Sequence, residues 1–273
     1  MTIPNITLNN GVEMPQLGYG VFQVPNDETE AAVTAALEAG YRSIDTAAAY
    51  GNEAGVGRAL AKSGLAREEL FITTKLWNSD HEQPTEAYEK SLELLGLDHV
   101  DLYLIHWPTP ARDLYAKAWQ GLEELYAAGR TRAIGVSNFL PEHLDRIVGL
   151  GGTVPAVNQI ELHPALQQRA TAAANDRLGI ATEAWSPLAQ GVMLQNPAIT
   201  AIADRLGRTT AQVILRWHLQ QGRIVIPKSV TPARIAQNLD VFGFDLTDAD
   251  LAAIDALESD GRTGPDPAEF NAA

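Results

Sequence analysis

The feature that most constrains this chain is a repeated beat of strand-length and helix-length segments. After a short start, apolar runs of strand length alternate with amphipathic runs of helix length through 273 residues. Ile6 to Met14, around Asn9-Asn10-Gly11, reads as a hairpin with a glycine turn. The predicted strands are Gln16–Phe22, Tyr41–Thr46, Leu70–Trp77, Val100–Trp107, Ala133–Ser137, Ala156–Leu162, Ile180–Trp185 and Arg223–Pro227. The predicted helices are Asp27–Ala39, Glu53–Ser63, Pro84–Leu95, Ala111–Ala128, Pro141–Val148, Leu166–Leu178, Ala198–Leu206, Ala211–Gln220, Pro232–Phe242 and Asp248–Leu257. In the fourth helix, Leu114, Ala118, Leu122 and Leu125 form one apolar stripe at a period of 3.6. Eight βα units in this length specify an α/β fold. The expected form is a (β/α)8 TIM barrel with an N-terminal β-hairpin and extra helices near the C-terminus, as one domain over residues 1–273. A doubly wound open sheet is disfavoured, because Gly18-Tyr19-Gly20 and Gly55-Val56-Gly57 both lack the third glycine of G-x-G-x-x-G.

Composition narrows the function. There is no cysteine, so disulfides, thiolate chemistry and cysteine metal sites are excluded. The six histidines show no metal-ligand spacing, so no metal is expected. The formal charge of −14 argues against nucleic acid, which needs a clustered basic surface. No apolar stretch approaches the length of a membrane span, and Met1 to Asn10 lacks the basic start and apolar run of a leader. A cytoplasmic, monomeric protein is the expectation.

The chemistry is expected at the carboxyl ends of the strands, where parallel barrels place it. In Y-R-S-I-D-T-A-A-A-Y-G-N, Tyr41, Ser43 and Asp45 share one parity, Tyr50 follows in a small-residue loop, and Asn52 is placed to cap the next helix. Phe71, Thr73 and Lys75 share a face in the next strand, and Leu102, Leu104 and His106 in the one after. Asp45, Lys75 and His106 thus end consecutive strands on what can be one inward face. One reading is structural: a buried ion pair beside a satisfied histidine. The chemical reading adds Tyr50. An ammonium near a phenol favours the phenolate, and an imidazole can hydrogen-bond the same oxygen. Such a tyrosine can protonate a developing alkoxide, which is what carbonyl reduction needs.

These residues resemble the Asp-Tyr-Lys-His tetrad of the aldo-keto reductase superfamily, and G-Y-R-S-I-D-T-A-x-x-Y-G-N-E (Gly40 to Glu53) is similar to its first signature. The likeness runs from about Ile3 to Phe244. Q-L-G-Y-G-V-F (Gln16 to Phe22), F-I-T-T-K-L-W-N (Phe71 to Asn78) and P-A-V-N-Q-I-E-L-H-P (Pro155 to Pro164) make it strongest to the bacterial 2,5-diketo-D-gluconate reductases. The resemblance implies NADPH as cofactor, Tyr50 as general acid tuned by Lys75 and Asp45, and His106 orienting the carbonyl. It implies that Ser137, Asn138 and Gln159 hold the nicotinamide carboxamide and that Trp185 stacks on the ring, where most of the family has Tyr. Ser186, Leu188 and Gln190 fall at the pyrophosphate. Lys228, Ser229, Val230, Arg234, Gln237 and Asn238 match the 2′-phosphate and adenine end, although the family often has Glu where Gln237 stands. Lys228 and Arg234 also flank a helix start, where backbone N–H groups favour an anion.

Phe22, Trp77 and Trp107 follow or end strands at the same mouth, so they are expected to wall an apolar slot over Tyr50 and His106 for a small carbonyl substrate. Each aromatic read alone could equally close the barrel end. The acidic body offers no second basic cluster, so neutral dicarbonyls are expected to outdo anionic keto-sugar acids. Two other functions stay open. One is a Schiff-base aldolase with Lys75 as the amine. The other is a nucleotide-binding regulatory barrel without turnover.

Overall fold

The computed structural model describes residues 3–273; Met1 and Thr2, the first positions of the stretch read for a leader, lie outside the described residues. Strands β1 (Asn5–Thr7) and β2 (Glu13–Pro15) form the expected antiparallel hairpin, with Ile6 opposite Met14. Eight parallel strands follow: β3 (Tyr19–Gly20), β4 (Ser43–Asp45), β5 (Phe71–Leu76), β6 (Val100–Ile105), β7 (Thr131–Ser137), β8 (Val157–Glu161), β9 (Ala181–Trp185) and β10 (Ile224–Val225). Their order in the sheet is their order in the chain. The last strand returns to the first: Leu17 bridges Val225 in parallel, and Gly18 N donates to Val225 O at 2.8 Å. The sheet is therefore curled round on itself as a barrel, which removes the exposed edges of an open sheet.

Period-two alternation sorts the side chains. Phe71, Leu102, Leu104, Ala133, Val157 and Ile224 point inward and pack with Leu8 and Met14 of the hairpin, which plugs the amino-terminal end. Ile44, Ile72, Tyr103, Ile105, Ile134, Val136 and Ile160 point outward into the larger core beneath the helices. Each fully buried branched side chain contributes about 1.5–3 kcal/mol. The helices are α1 (Asn26–Ala39), α2 (Glu53–Lys62), α3 (Pro84–Leu95), α4 (Tyr115–Ala127), α5 (Pro141–Val148), α6 (Arg169–Leu178), α7 (Pro197–Leu206), α8 (Thr210–Gln220), α9 (Pro232–Leu239) and α10 (Asp248–Asp255). Proline at the first position starts α3, α5, α7 and α9, where its missing N–H costs nothing. Among the described residues no helix is long and apolar enough to cross a membrane.

Several boundaries differ from the sequence reading. The first and last barrel strands shrink to two residues each, because their neighbours pair only through isolated contacts across the seam. Helix α4 begins at Tyr115 rather than Ala111, since Thr109 and Asp113 adopt left-handed conformations around a short 3-10 turn at Pro110–Arg112. Helix α6 begins at Arg169 rather than Leu166, because His163 and Leu166 bridge each other and Gln168 is left-handed. Helix α9 ends at Leu239, not Phe242. Tyr41 does not share the inward face of Ser43 and Asp45. It precedes β4, packs against Tyr19 and donates its hydroxyl to Ile235 O at 3.2 Å. Asn52 stands at the helix start, yet its side chain caps nothing there. It accepts from Thr46 Oγ1 at 2.8 Å and donates to Val21 O and Val24 O, both at 3.0 Å, tying the Tyr50 loop to the Phe22 loop.

Gly57 explains a glycine that the dinucleotide reading left over. Helix α2 crosses α3 there so closely that a Cβ at Gly57 would stand 2.7 Å from the Leu95 carbonyl carbon and 3.0 Å from Leu94 O. Alanine improves helix propensity, but the crowding wins because both neighbours are backbone. Gly57→Ala is expected to lower the urea midpoint by an amount corresponding to about 1–3 kcal/mol; an unchanged or raised midpoint would show that the crossing yields freely.

Candidate active site

The site grows from the ends of β4 and β5. Asp45 closes β4, in register with Gly20 of β3 and Thr73 of β5. Lys75 reaches it from β5: Nζ donates to Asp45 Oδ1 at 2.6 Å and to Thr46 O at 2.8 Å, with no solvent exposure of the lysine side chain. The ammonium lies 5.1 Å from the centre of the Tyr50 ring. Burial is the largest influence and works to lower the Lys75 pKa, but the charge and hydrogen bond of Asp45 lead the effects that oppose it, and the net direction is up. The lysine is a fixed cation at neutral pH.

Tyr50 sits on a short 3-10 turn, Ala48–Tyr50, beyond β4. Its ring meets His106 edge to face at 5.5 Å, and no hydrogen bond joins the two side chains. Burial raises the Tyr50 pKa more than Lys75 lowers it. The sequence argument that the ammonium sets the balance therefore needs correcting: Lys75 moderates the phenol, and burial keeps it protonated. His106 is held well below the ordinary histidine range by burial, then by Lys75, so its imidazole is neutral. Its carbonyl accepts from Asn138 Nδ2 at 3.0 Å.

The expected carboxamide residues lie across the barrel. Ser137 ends β7 opposite Gln159 of β8, and its Oγ donates to Gln159 O at 2.8 Å. Asn138, left-handed at φ 64°, has its amide committed within the protein, since its Oδ1 accepts from Trp185 Nε1 at 2.8 Å. It holds the indole and the His106 backbone rather than offering a free amide. Gln159 is different. Its Nε2 donates to Asp45 Oδ2 at 2.8 Å and to Glu183 Oε2 at 2.9 Å. Two carboxylates fix which end of the amide faces them, and its Oε1 is left without a protein donor among the described residues. Glu183 was missed in the sequence. It shares parity with Trp185 in E-A-W-S-P-L, and an acid on an inward strand face is the same signal that singled out Lys75.

The aromatic wall is present but more crowded than expected. Phe22 is half exposed beside Tyr50, with ring centres 5.1 Å apart, and Trp77 lies 5.3 Å from His106. Trp107 is buried, because Phe270 of the C-terminal tail covers it at 4.5 Å. The tail is anchored by Glu161, which ends β8. Glu161 Oε1 accepts from Thr263 N at 2.7 Å and Thr263 Oγ1 at 2.5 Å, and Oε2 accepts from Gly264 N at 3.0 Å. Further on, Asn271 Oδ1 accepts from Ala111 N and Ala272 O from Asn78 Nδ2. Phe270 and Glu161 had no local signature, since each acts on residues about a hundred or more positions away in the chain.

At the other end, Ser186 and Gln190 take left-handed conformations in the loop after β9, with Leu188 between them. Gln190 Nε2 donates to Thr263 Oγ1 at 3.4 Å, so this loop touches the tail. Ser229 O accepts from Tyr19 Oη, and Val230 is half exposed. Lys228 and Arg234 are exposed, and neither forms an ion pair among the described residues. Helix α9 starts between them with no side-chain cap at Thr231. Gln237 is exposed on that helix and Asn238 is buried. Two uncommitted cations at an uncapped helix start, in a body of charge −14, suit a phosphate, and the free Gln159 oxygen suits an amide N–H. The residues present fit a phosphorylated nicotinamide dinucleotide.

Fold and site together define a barrel oxidoreductase, and the comparisons give its family. The sequence profile described as Aldo/keto reductase family matches residues 14–259, so the chain belongs to that family. It is 55% identical to an aldo-keto reductase of Mycolicibacterium smegmatis over 270 residues, 98% of each chain. It is 54% identical to the methylglyoxal reductase DkgA of Escherichia coli over 267 residues, 97% of each chain. A crystal structure of a Gox0644 variant in complex with NADPH superposes with a TM-score of 0.94 at 49% identity, covering 98% of both chains.

Glu183 generates a prediction about stability. Burial, then the Asp45 charge, pushes its carboxyl up to about 8 from 4.5. A group with a raised folded-state value contributes stability that is full below about pH 4.5 and lost as pH rises to about 8. Glu183→Gln should therefore match the wild type near pH 5 and exceed it at pH 9, by something on the order of a few kcal/mol in urea denaturation. Equal midpoints at both pH values would mean that the folded chain does not hold this carboxyl neutral.

Proposed function

We propose that this chain reduces small aldehydes and α-dicarbonyls to alcohols with NADPH, working as one domain and as a monomer, with Tyr50 as the proton donor. The observation that carries the reading is the fully buried Lys75 ammonium, paired to Asp45 and set against the Tyr50 ring beside a neutral His106. Bound NADPH supplies a hydride to the carbonyl carbon. The protein has to deliver one proton to the carbonyl oxygen and stabilise the charge that builds there. Tyr50 is protonated at neutral pH and gives its hydroxyl proton to that oxygen. The phenolate left behind is stabilised by Lys75, whose charge needs no reorganisation because Asp45 and Thr46 O already hold it. His106, uncharged, acts as a hydrogen-bonding guide for the carbonyl rather than as an acid. Solvent then returns the proton to Tyr50.

The aldolase alternative needs Lys75 as a free neutral amine. Its raised pKa and its two fixed acceptors work against that. Tyr50→Phe removes only the acid. It should cut the reduction rate by about a hundredfold or more while leaving NADPH affinity within about twofold. Retention of more than about a tenth of the rate, a barrier change under about 1.4 kcal/mol, would remove Tyr50 from the proton step. A wild type that binds NADPH but turns over no carbonyl would instead favour the regulatory barrel.

The substrate class follows from the wall. Phe22 packs beside Tyr50, Trp77 beside His106 and Phe270 of the tail on Trp107, which supports reading this end as a narrow apolar slot. The name of the Escherichia coli relative points the same way. A neutral dicarbonyl such as methylglyoxal should show a higher kcat/KM than 2,5-diketogluconate, and a bulky steroid ketone the lowest. Steroid preference would contradict the narrow slot, and micromolar KM for the sugar acid would require a carboxylate-binding group in the tail.

A further inference from the structure

Among the groups the proton step does not use, Glu183 stands out. It is fully buried at the middle of β9, in register with Gln159 of β8 and Ile224 of β10. Asp45 has a cation, and both of its oxygens accept hydrogen bonds. Glu183 has no cation, and one hydrogen bond reaches only its Oε2; Oε1 is buried with no donor. Lys75 and Asp45 already neutralise each other, so an ionised Glu183 adds one uncompensated negative charge inside the barrel. Ile224 stands at its register, and the inward apolar cluster of Ile224, Leu102, Leu104 and Val157 offers no compensation. Above it on the same strand face, two residues on and so roughly 7 Å along the strand, stands Trp185.

We propose that Glu183 is a positioning residue that sets the balance between the two redox forms of the nicotinamide held at Gln159 and Trp185: protonated beneath the neutral reduced ring, ionised beneath the cationic oxidised ring. The inference rests on the NADPH reading above. The reduced ring carries no charge and the oxidised ring carries +1, so an acid that ionises only with the oxidised form favours that form. The proton leaves the Glu183 carboxyl for solvent, and charge balances. Gln159 is the mechanical link. Its Nε2 is held by Asp45 and Glu183 together, which leaves its Oε1 free to accept from a carboxamide N–H.

The other charged groups around Glu183 are each paired or held by burial. Asp45 on β4 and Lys75 on β5 are paired, Tyr50 beyond β4 stays protonated, and His106 beyond β6 stays neutral. Glu161 on β8, at the register of Trp185, is held low although burial opposes this, because His163, Thr263 and Gly264 engage its carboxylate. Strand β10 presents Ile224 at the Glu183 register and no titratable group. Burial pushes the Glu183 carboxyl up to about 8, and Glu53, the other buried carboxyl that burial raises, accepts from Thr74 Oγ1 on the outer side of β5.

The test is binding rather than turnover. Dissociation constants for NADP+ and for NADPH are measured by fluorescence or calorimetry from pH 6 to 9, on the wild type and on Glu183→Gln. The 2′-phosphate is common to both ligands, so its own titration cancels in their ratio. In the wild type the ratio Kd(NADP+)/Kd(NADPH) should fall about tenfold as pH rises, equivalent to about 30 mV in the bound potential. In Glu183→Gln the ratio should be flat and equal to the low-pH wild-type value. A purely structural spacer would weaken both ligands alike and leave the pH dependence in place, which overturns the proposal; so does a flat wild-type ratio. If Glu183→Gln does not fold, the wild type alone decides: NADP+ binding at pH 8 must release more protons than NADPH binding when compared in buffers of different ionisation enthalpy. Failure of the wild type to bind either ligand would refute the NADPH reading itself, a result distinct from indifference to Glu183.

Discussion

The ion pair of Lys75 and Asp45 is the interaction on which the rest of the mouth depends. An ammonium with no exposure is tolerated only when its desolvation is offset by a close carboxylate and further acceptors. Both conditions are met, by Asp45 Oδ1 and Thr46 O. The second Asp45 oxygen then takes Gln159 from the far wall, so one carboxylate joins β4, β5 and β8 across the barrel. Removing either partner would strand a charge, which typically costs about 3–5 kcal/mol. The pair also holds the Lys75 ammonium 5.1 Å from the centre of the Tyr50 ring.

The apolar layer below makes that pair effective. The inward side chains near the hairpin are hydrocarbon, and the inward side chains one level up are polar or charged. Charges in the upper layer are therefore screened by little solvent from beneath, and their fields reach further than they would in water. The same setting explains why the phenol of Tyr50 stays protonated and the imidazole of His106 stays neutral. In each case burial is the first cause, and the neighbouring charge adjusts it.

The tail completes the site from a distance. Glu161 binds Thr263 and Gly264, which brings the chain against Trp185. A Cβ at position 264 would collide with Trp185 Cη2 and lie 3.2 Å from both Trp185 Cζ3 and Glu161 Oε2, so the indole leaves room there only for glycine. Six residues later Phe270 covers Trp107. The aromatic cluster beside Trp185 and Trp107 is thus shared between the barrel strands and a segment that has no regular structure of its own.

Period and parity alone determined the βα alternation and the inward placement of Asp45 and Lys75. Those features are local: a strand side chain points where its neighbours two residues away point, whatever the rest of the chain does. The family motifs were legible for the same reason, since each is a contiguous stretch. Only the tertiary structure decided which charges meet and what surrounds them. It turned the Asn138 amide into a clamp on Trp185 and made burial rather than Lys75 the main influence on Tyr50. It also laid Phe270 over Trp107 and set Glu183 against Gln159 without a cation. Desolvation and hydrogen-bond satisfaction depend on groups brought together from distant segments, and no local pattern in a linear chain records that meeting.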